Sequence, residues 1–173
     1  RVSVTFYPPN RRGDRLNFVN AAEDYASVAL EFDFPFQGRS VRQLFVTNNF
    51  GIFLERPQPS TLRQYSDLAV ALENRAVISP LLATQRSRLT TPPVLRARKS
   101  HDAVVITWML EERYDVQAVL AKSGEIRFSY NLVTQYPGAA AVMITSGNEP
   151  WRNERTTIVS REAAVGDVRT GAP

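Results

Sequence analysis

Short apolar runs separated by turn residues recur along this chain, and the most regular lie between His101 and Tyr130. Ala103–Trp108 (AVVITW), Asp115–Leu120 (DVQAVL) and Glu125–Tyr130 (EIRFSY) are rich in Val, Ile, Phe and Tyr, residues that suit a pleated, half-buried surface. The last two are joined by Ala121-Lys122-Ser123-Gly124, with glycine where a tight turn needs positive φ. The spacing predicts three consecutive antiparallel strands. Their alternating side chains would place Ile106, Val116 and Phe128 in a shared interior, with Trp108 in the core.

The same reading extends outward. Val2–Phe6 alternates as a half-buried strand and stops at Pro8-Pro9, with a polar loop from Asn10 to Arg15. Tyr25–Phe32 is a second strand, followed by the aromatic cluster Phe32-Asp33-Phe34-Pro35-Phe36 and a turn at Gln37-Gly38-Arg39. Val41–Thr47 and Phe50–Leu54 flank Asn48-Asn49, residues that tolerate left-handed backbone, which predicts a hairpin. Leu62, Tyr65, Leu68, Ala69 and Leu72 recur at helical spacing behind a Ser60 cap, the one short helix predicted. Val77–Leu82, Val94–Arg98, Ala139–Thr145 and Thr156–Val159 complete the strands. Val94–Arg98 would pair with Ala103–Trp108 across the turn 99–102. The expected fold is all-β: a two-sheet antiparallel β-sandwich, jelly-roll-like or immunoglobulin-like, over residues 1–162. Residues 163–173 would form a poorly ordered tail or linker.

Composition narrows the function classes. The 173 residues are 43% hydrophobic and 22% charged, the make-up of an ordinary globular domain. No apolar run approaches the ~20 residues of a membrane-spanning helix. The chain has no cysteine, which excludes disulfides, thiolate catalysis and cysteine metal sites. A net charge of +4 is spread over arginines interleaved with acids, and no nucleic-acid-binding motif accompanies it, so no nucleic-acid partner is expected. Arg1 in place of an initiating methionine predicts a processed protein or an excised piece of a longer one.

The order of these pieces resembles secreted bacterial β-sandwich modules similar to the nidogen-type extracellular domain. Phe34-Pro35-Phe36-Gln37-Gly38 stands before the strand Val41–Val46, which is followed by Asn48-Asn49-Phe50-Gly51. Val77-Ile78-Ser79-Pro80-Leu81 matches the family's apolar-proline segment, and Val104-Val105-Ile106-Thr107-Trp108 its strand ending in tryptophan. The hairpin of Val116–Leu120, Ser123-Gly124 and Glu125-Ile126-Arg127-Phe128-Ser129-Tyr130 is the closest likeness. The family's Trp-Asp-Asp is replaced by Leu82-Ala83-Thr84. This resemblance implies an extracellular or cell-surface location, a place in a larger multidomain chain, and adhesion or scaffolding without catalysis.

Candidate chemistry is sparse. His101 is the single histidine, and its neighbour Asp102 would point elsewhere from a shared turn, so neither a catalytic dyad nor a histidine zinc site is expected. Glu111 and Glu112 could serve glycoside hydrolysis only if opposed across a cleft, and their place beside Arg113 favours a solvated turn. Asp14, Glu23, Asp24, Asp33 and Asp67 lack the acid-glycine alternation of a calcium loop. Arg12-Gly13-Asp14 spells an integrin-recognition tripeptide on a loop, a match short enough to arise by chance. Trp151, in a polar loop, either plugs one end of the sandwich or offers a flat face to a sugar ring or partner. With Glu149 and Arg152 it forms the candidate ligand-binding set.

No catalytic residue, metal or cofactor is expected. The function read from the sequence is a non-catalytic adhesion or recognition module of an exported bacterial protein, binding glycan or a protein partner through end loops. A purely structural spacer or, less favoured, a glycan-cleaving enzyme are the alternatives.

Overall fold

A computed structural model describes residues 13–16, 25–48, 50–57, 76–83, 94–110, 114–133, 140–146 and 157–158. Among these residues there is no helix. The strands are β1 (Asp14–Arg15), β2 (Tyr25–Phe36), β3 (Arg39–Thr47), β4 (Ile52–Phe53), β5 (Ala76–Ala83), β6 (Val94–Lys99), β7 (Ala103–Leu110), β8 (Tyr114–Ala121), β9 (Ile126–Val133), β10 (Ala140–Ser146) and β11 (Thr157–Ile158). The expected strand at residues 2–6, the helix at 60–72 and the tail at 163–173 lie outside the described residues.

Two antiparallel sheets form a β-sandwich, with orders β1-β6-β7-β8-β9 and β11-β10-β5-β4-β3-β2. Sequence alone left the strand order open. Each sheet is built around a meander of four consecutive strands, with β1 added beside β6 and β10 beside β5. The hairpin predicted between residues 115 and 130 is present, closed by a turn in which Gly124 N–H donates to the Ala121 carbonyl at 2.9 Å. Gly124 has φ +89°, as the sequence anticipated.

Alternation carries the interior. Across β6 to β9 the register aligns Leu95, Trp108, Val116 and Tyr130 in one row, and Ala97, Ile106, Ala118 and Phe128 in the next. These meet Val28, Phe34, Leu44, Val46, Ile52 and Ile78 of the other sheet in a single apolar cluster. Ile106 and Val116 are 0% exposed and Phe128 is 5% exposed, so all three face the interior as the pattern requires.

Trp108 and Tyr130 each bond from one sheet to the other. The Trp108 indole N–H donates to the Thr47 carbonyl at 2.8 Å, and the Tyr130 hydroxyl donates to the Pro80 carbonyl at 2.6 Å. Burying a donor without an acceptor is costly, so each bond fixes which strands face one another. Burial pushes the Tyr130 phenol up in pKa. Pro80 lacks an N–H and sits where the β5–β10 register shifts, the kind of bulge at which a proline is tolerated.

The bounds of β2 and β4 differ from expectation. Strand β2 does not stop at Phe32 but runs through the aromatic cluster to Phe36, turning at Gln37 and Gly38 (φ +47° and +77°), positive at both as a tight hairpin requires. Strand β4 is only two residues long: Phe50, expected to begin it, takes left-handed backbone (φ +63°), and Leu54 already bonds to Ala76 of β5. That conformation is costly for a bulky residue. It is held by burial of the ring, by its packing on Trp108 (centroids 5.8 Å apart) and by a 2.8 Å bond from the Ser79 hydroxyl to the Phe50 carbonyl.

Replacing Trp108 by Phe is expected to lower unfolding free energy by about 1–3 kcal/mol, since the buried Thr47 carbonyl loses its donor. Trp108→Ala should cost about 3–5 kcal/mol. Urea titrations followed by circular dichroism give both values, and a neutral Trp108→Phe would show that the intersheet bond is dispensable. Gly38→Ala and Gly124→Ala each incur left-handed strain of about 1–2 kcal/mol. At Gly124 the added carbon would also stand 3.2 Å from Pro35 Cγ, whereas at Gly38 it meets nothing. The same titrations should rank Gly124→Ala as the less stable variant.

Candidate functional site

Described residues line a groove of about 350 Å³ beside β3, near the small end of the ~300–1,000 Å³ typical of ligand pockets. Its origin is topological. Strand β4 pairs with β3 only at Phe45 and Val46, and Leu54 then turns to β5, donating its N–H to the Ala76 carbonyl at 3.3 Å. Residues 39–44 of β3 therefore continue past the end of β4, and a gap opens beside them.

The floor of the gap is the hydrophobic core seen from its side. Phe36, Val41, Leu54 and Ala76 line it and are 6%, 9%, 9% and 7% exposed, while the centre of the same cluster is at 0%. Four of the five most exposed members of the core cluster thus sit at this one place. Arg39, Ser40, Gln43, Phe45 and Glu55 form the rim. The Arg39 guanidinium donates to Glu55 Oε1 at 2.8 Å, an exposed ion pair that bridges the two walls.

A register shift supplies the rest. On β2, residues 30–33 stand opposite Arg42 alone, between the pairs Ala29↔Gln43 and Phe34↔Val41. Bulges of this kind re-aim side chains, and here Arg42 and Gln43, adjacent in sequence, are both exposed. The Arg42 guanidinium grips Asp33 with two bonds of 2.6 and 2.7 Å, and the Ser40 hydroxyl adds a third at 2.9 Å. The hydrogen bond from Arg42, and after it that from Ser40, holds the Asp33 carboxyl well below the usual carboxylate range; the Arg42 pKa is raised by the same contact. Asp33, weighed as a calcium ligand, is instead an ion-pair partner.

Glu149, Trp151 and Arg152 lie outside the described residues, as do Glu111, Glu112, Glu23, Asp24, Asp67 and Arg12. His101 is exposed, with Nδ1 3.2 Å from Glu31 Oε2 on β2. Asp14 is in strand β1, paired with Ala97, and the Gly13 carbonyl accepts from Arg96 Nη1 at 3.0 Å. The Gly-Asp half of the tripeptide is therefore tied to a sheet edge, where the sequence suggested a loop. Among the described residues no three acids or histidines gather as a metal site, and no helix is long and apolar enough to cross a membrane.

Sequence reasoning missed the groove residues Arg39, Gln43 and Glu55. The available signals were Pro35 inside an otherwise strand-like run, which marks an edge or bulge, and the polar Glu55-Arg56-Pro57 after a very short apolar segment. It also missed a polar row on the outer face of the five-stranded sheet. Thr107, Gln117 and Ser129 align across β7, β8 and β9, with Arg96 beside them on β6. The first three are buried, so this row is not an open binding surface.

No family model, curated protein or solved structure matches the chain.

Because the Asp33 pKa is depressed on folding, its contribution is complete above the ordinary aspartate value of about 3.9 and is lost as pH falls from there through the lowered pKa. Asp33→Asn should be slightly less stable than the parent chain near neutrality. That gap should close as pH drops below about 4. Thermal melts at low ionic strength from neutral to about pH 2 test this, and a gap that stays constant would remove the ion pair from the account.

Proposed function

We propose that this chain is a non-catalytic recognition module of an exported bacterial multidomain protein, working at the cell surface or outside the cell and binding glycan or a protein partner. The carrying observation is the groove beside β3, where an apolar floor and hydrogen-bonding rim residues converge. Convergent polar groups around an apolar cavity are the usual form of a ligand site. The resemblance to nidogen-type extracellular modules supports the location and the membership of a longer chain.

The non-catalytic reading rests on the groove's chemistry. Glycoside hydrolysis needs two opposed carboxyls, whereas among the described lining residues the one carboxylate, Glu55, is bonded to Arg39. Glu149, Trp151 and Arg152, outside the described residues, are the second candidate set for the same function.

Amide shifts of the labelled protein, recorded against neutral and acidic oligosaccharides and short peptides, test the reading. Binding should move residues 36–43, Glu55 and Ala76. Shifts abolished by Trp151→Ala, with those residues unmoved, would transfer the site to the end loop. Silence toward every probe would leave a structural spacer.

A further inference from the structure

We infer that the groove is a strand-accepting edge, and that its occupant is an extended segment of a partner polypeptide laid against residues 39–44 of β3. This rests on the recognition reading above and names the class of partner. Among the described residues, 39–44 pair on one side only, with β2. A run of six residues offers an edge of about 20 Å, whose main-chain groups can extend the sheet by one strand.

The groove's chemistry selects this occupant over a charged one. Of the cations at its rim, Arg39 is paired with Glu55 and Arg42 with Asp33, so little net charge is left to attract an acidic sugar. What the floor offers is apolar: Phe36, Val41, Leu54 and Ala76 are core side chains that line the gap at 6–9% exposure. A strand added beside β3 points alternate side chains inward, and one apolar side chain every second residue would cover that floor. The Arg39–Glu55 bridge spans the entrance with both partners half-exposed or more. Ion pairs of this type contribute little to stability and yield readily to an incoming strand.

The test uses acetylated, amidated octapeptides that alternate threonine with Val, Leu, Ile or Phe between terminal lysines. Each is titrated into the labelled protein, with cellohexaose and trigalacturonate as saccharide probes. At least one peptide should shift the amides of residues 39–44 together with Phe36, Leu54 and Ala76. N-methylation of its alternate amides should weaken binding at least about tenfold, the loss expected when one or two strand hydrogen bonds cannot form. Arg39→Ala, an exposed change, should tighten binding by removing the bridge, and Ala76→Leu should weaken it by filling the floor. Saccharide shifts at the groove without peptide shifts would overturn this inference and leave the recognition reading standing. No shift with any probe would overturn both. Slow hydrogen exchange of the groove-side β3 amides in the free protein would also overturn it, since the edge would then be already paired.

Discussion

Everything in this fold turns on where Trp108 can place its indole N–H. A tryptophan at 0% exposure in the middle of a sheet needs an acceptor, and it bonds to the Thr47 carbonyl on the opposite sheet, 2.8 Å away. That bond brings the end of β3 over the middle of β7. It also makes the loop after Thr47 part of the core: Thr47 N–H donates to the Gly51 carbonyl at 2.8 Å, and Phe50 turns inward onto the tryptophan ring. Gly51 is required there, because a side-chain carbon would stand 2.9 Å from Thr47 Oγ1.

The groove follows from the same constraint. With the loop clamped at residues 47–51, β4 begins late and ends after two residues, and the chain passes at Leu54 to β5. Among the described residues, the first half of β3 is left with a neighbour on one side. The bulge in β2 completes the site, setting Arg42 against Asp33 and turning Gln43 outward. A strained, buried turn and an open strand edge are thus two ends of one mechanical arrangement, which is why the groove opens beside the turn that packs on Trp108.

The outer faces of the two sheets differ. On the five-stranded sheet, Thr107, Gln117 and Ser129 are buried although they point away from the core cluster. Around β3 the other sheet presents Arg39, Arg42, Gln43 and Glu55 to solvent, each charged group in an ion pair. A surface of balanced charge over a partly uncovered apolar floor suits an interaction driven by main-chain pairing and burial more than by long-range attraction.

Local chemistry determined the strands from β6 to β9, the glycine at the β8–β9 turn, the interior position of Trp108 and the all-β class. Each rests on alternation and turn geometry, which involve residues a few positions apart, and each is visible in runs such as AVVITW and EIRFSY. Tertiary structure alone decided that β2 runs through Pro35, that Phe50 takes the left-handed position beside two asparagines, that Gly13-Asp14 lies on a sheet edge, and that a groove opens beside β3. Those outcomes depend on which distant strand comes alongside and on where a buried donor finds its acceptor. Trp108 and Thr47 are 61 positions apart, and neither residue's immediate neighbours encode that meeting.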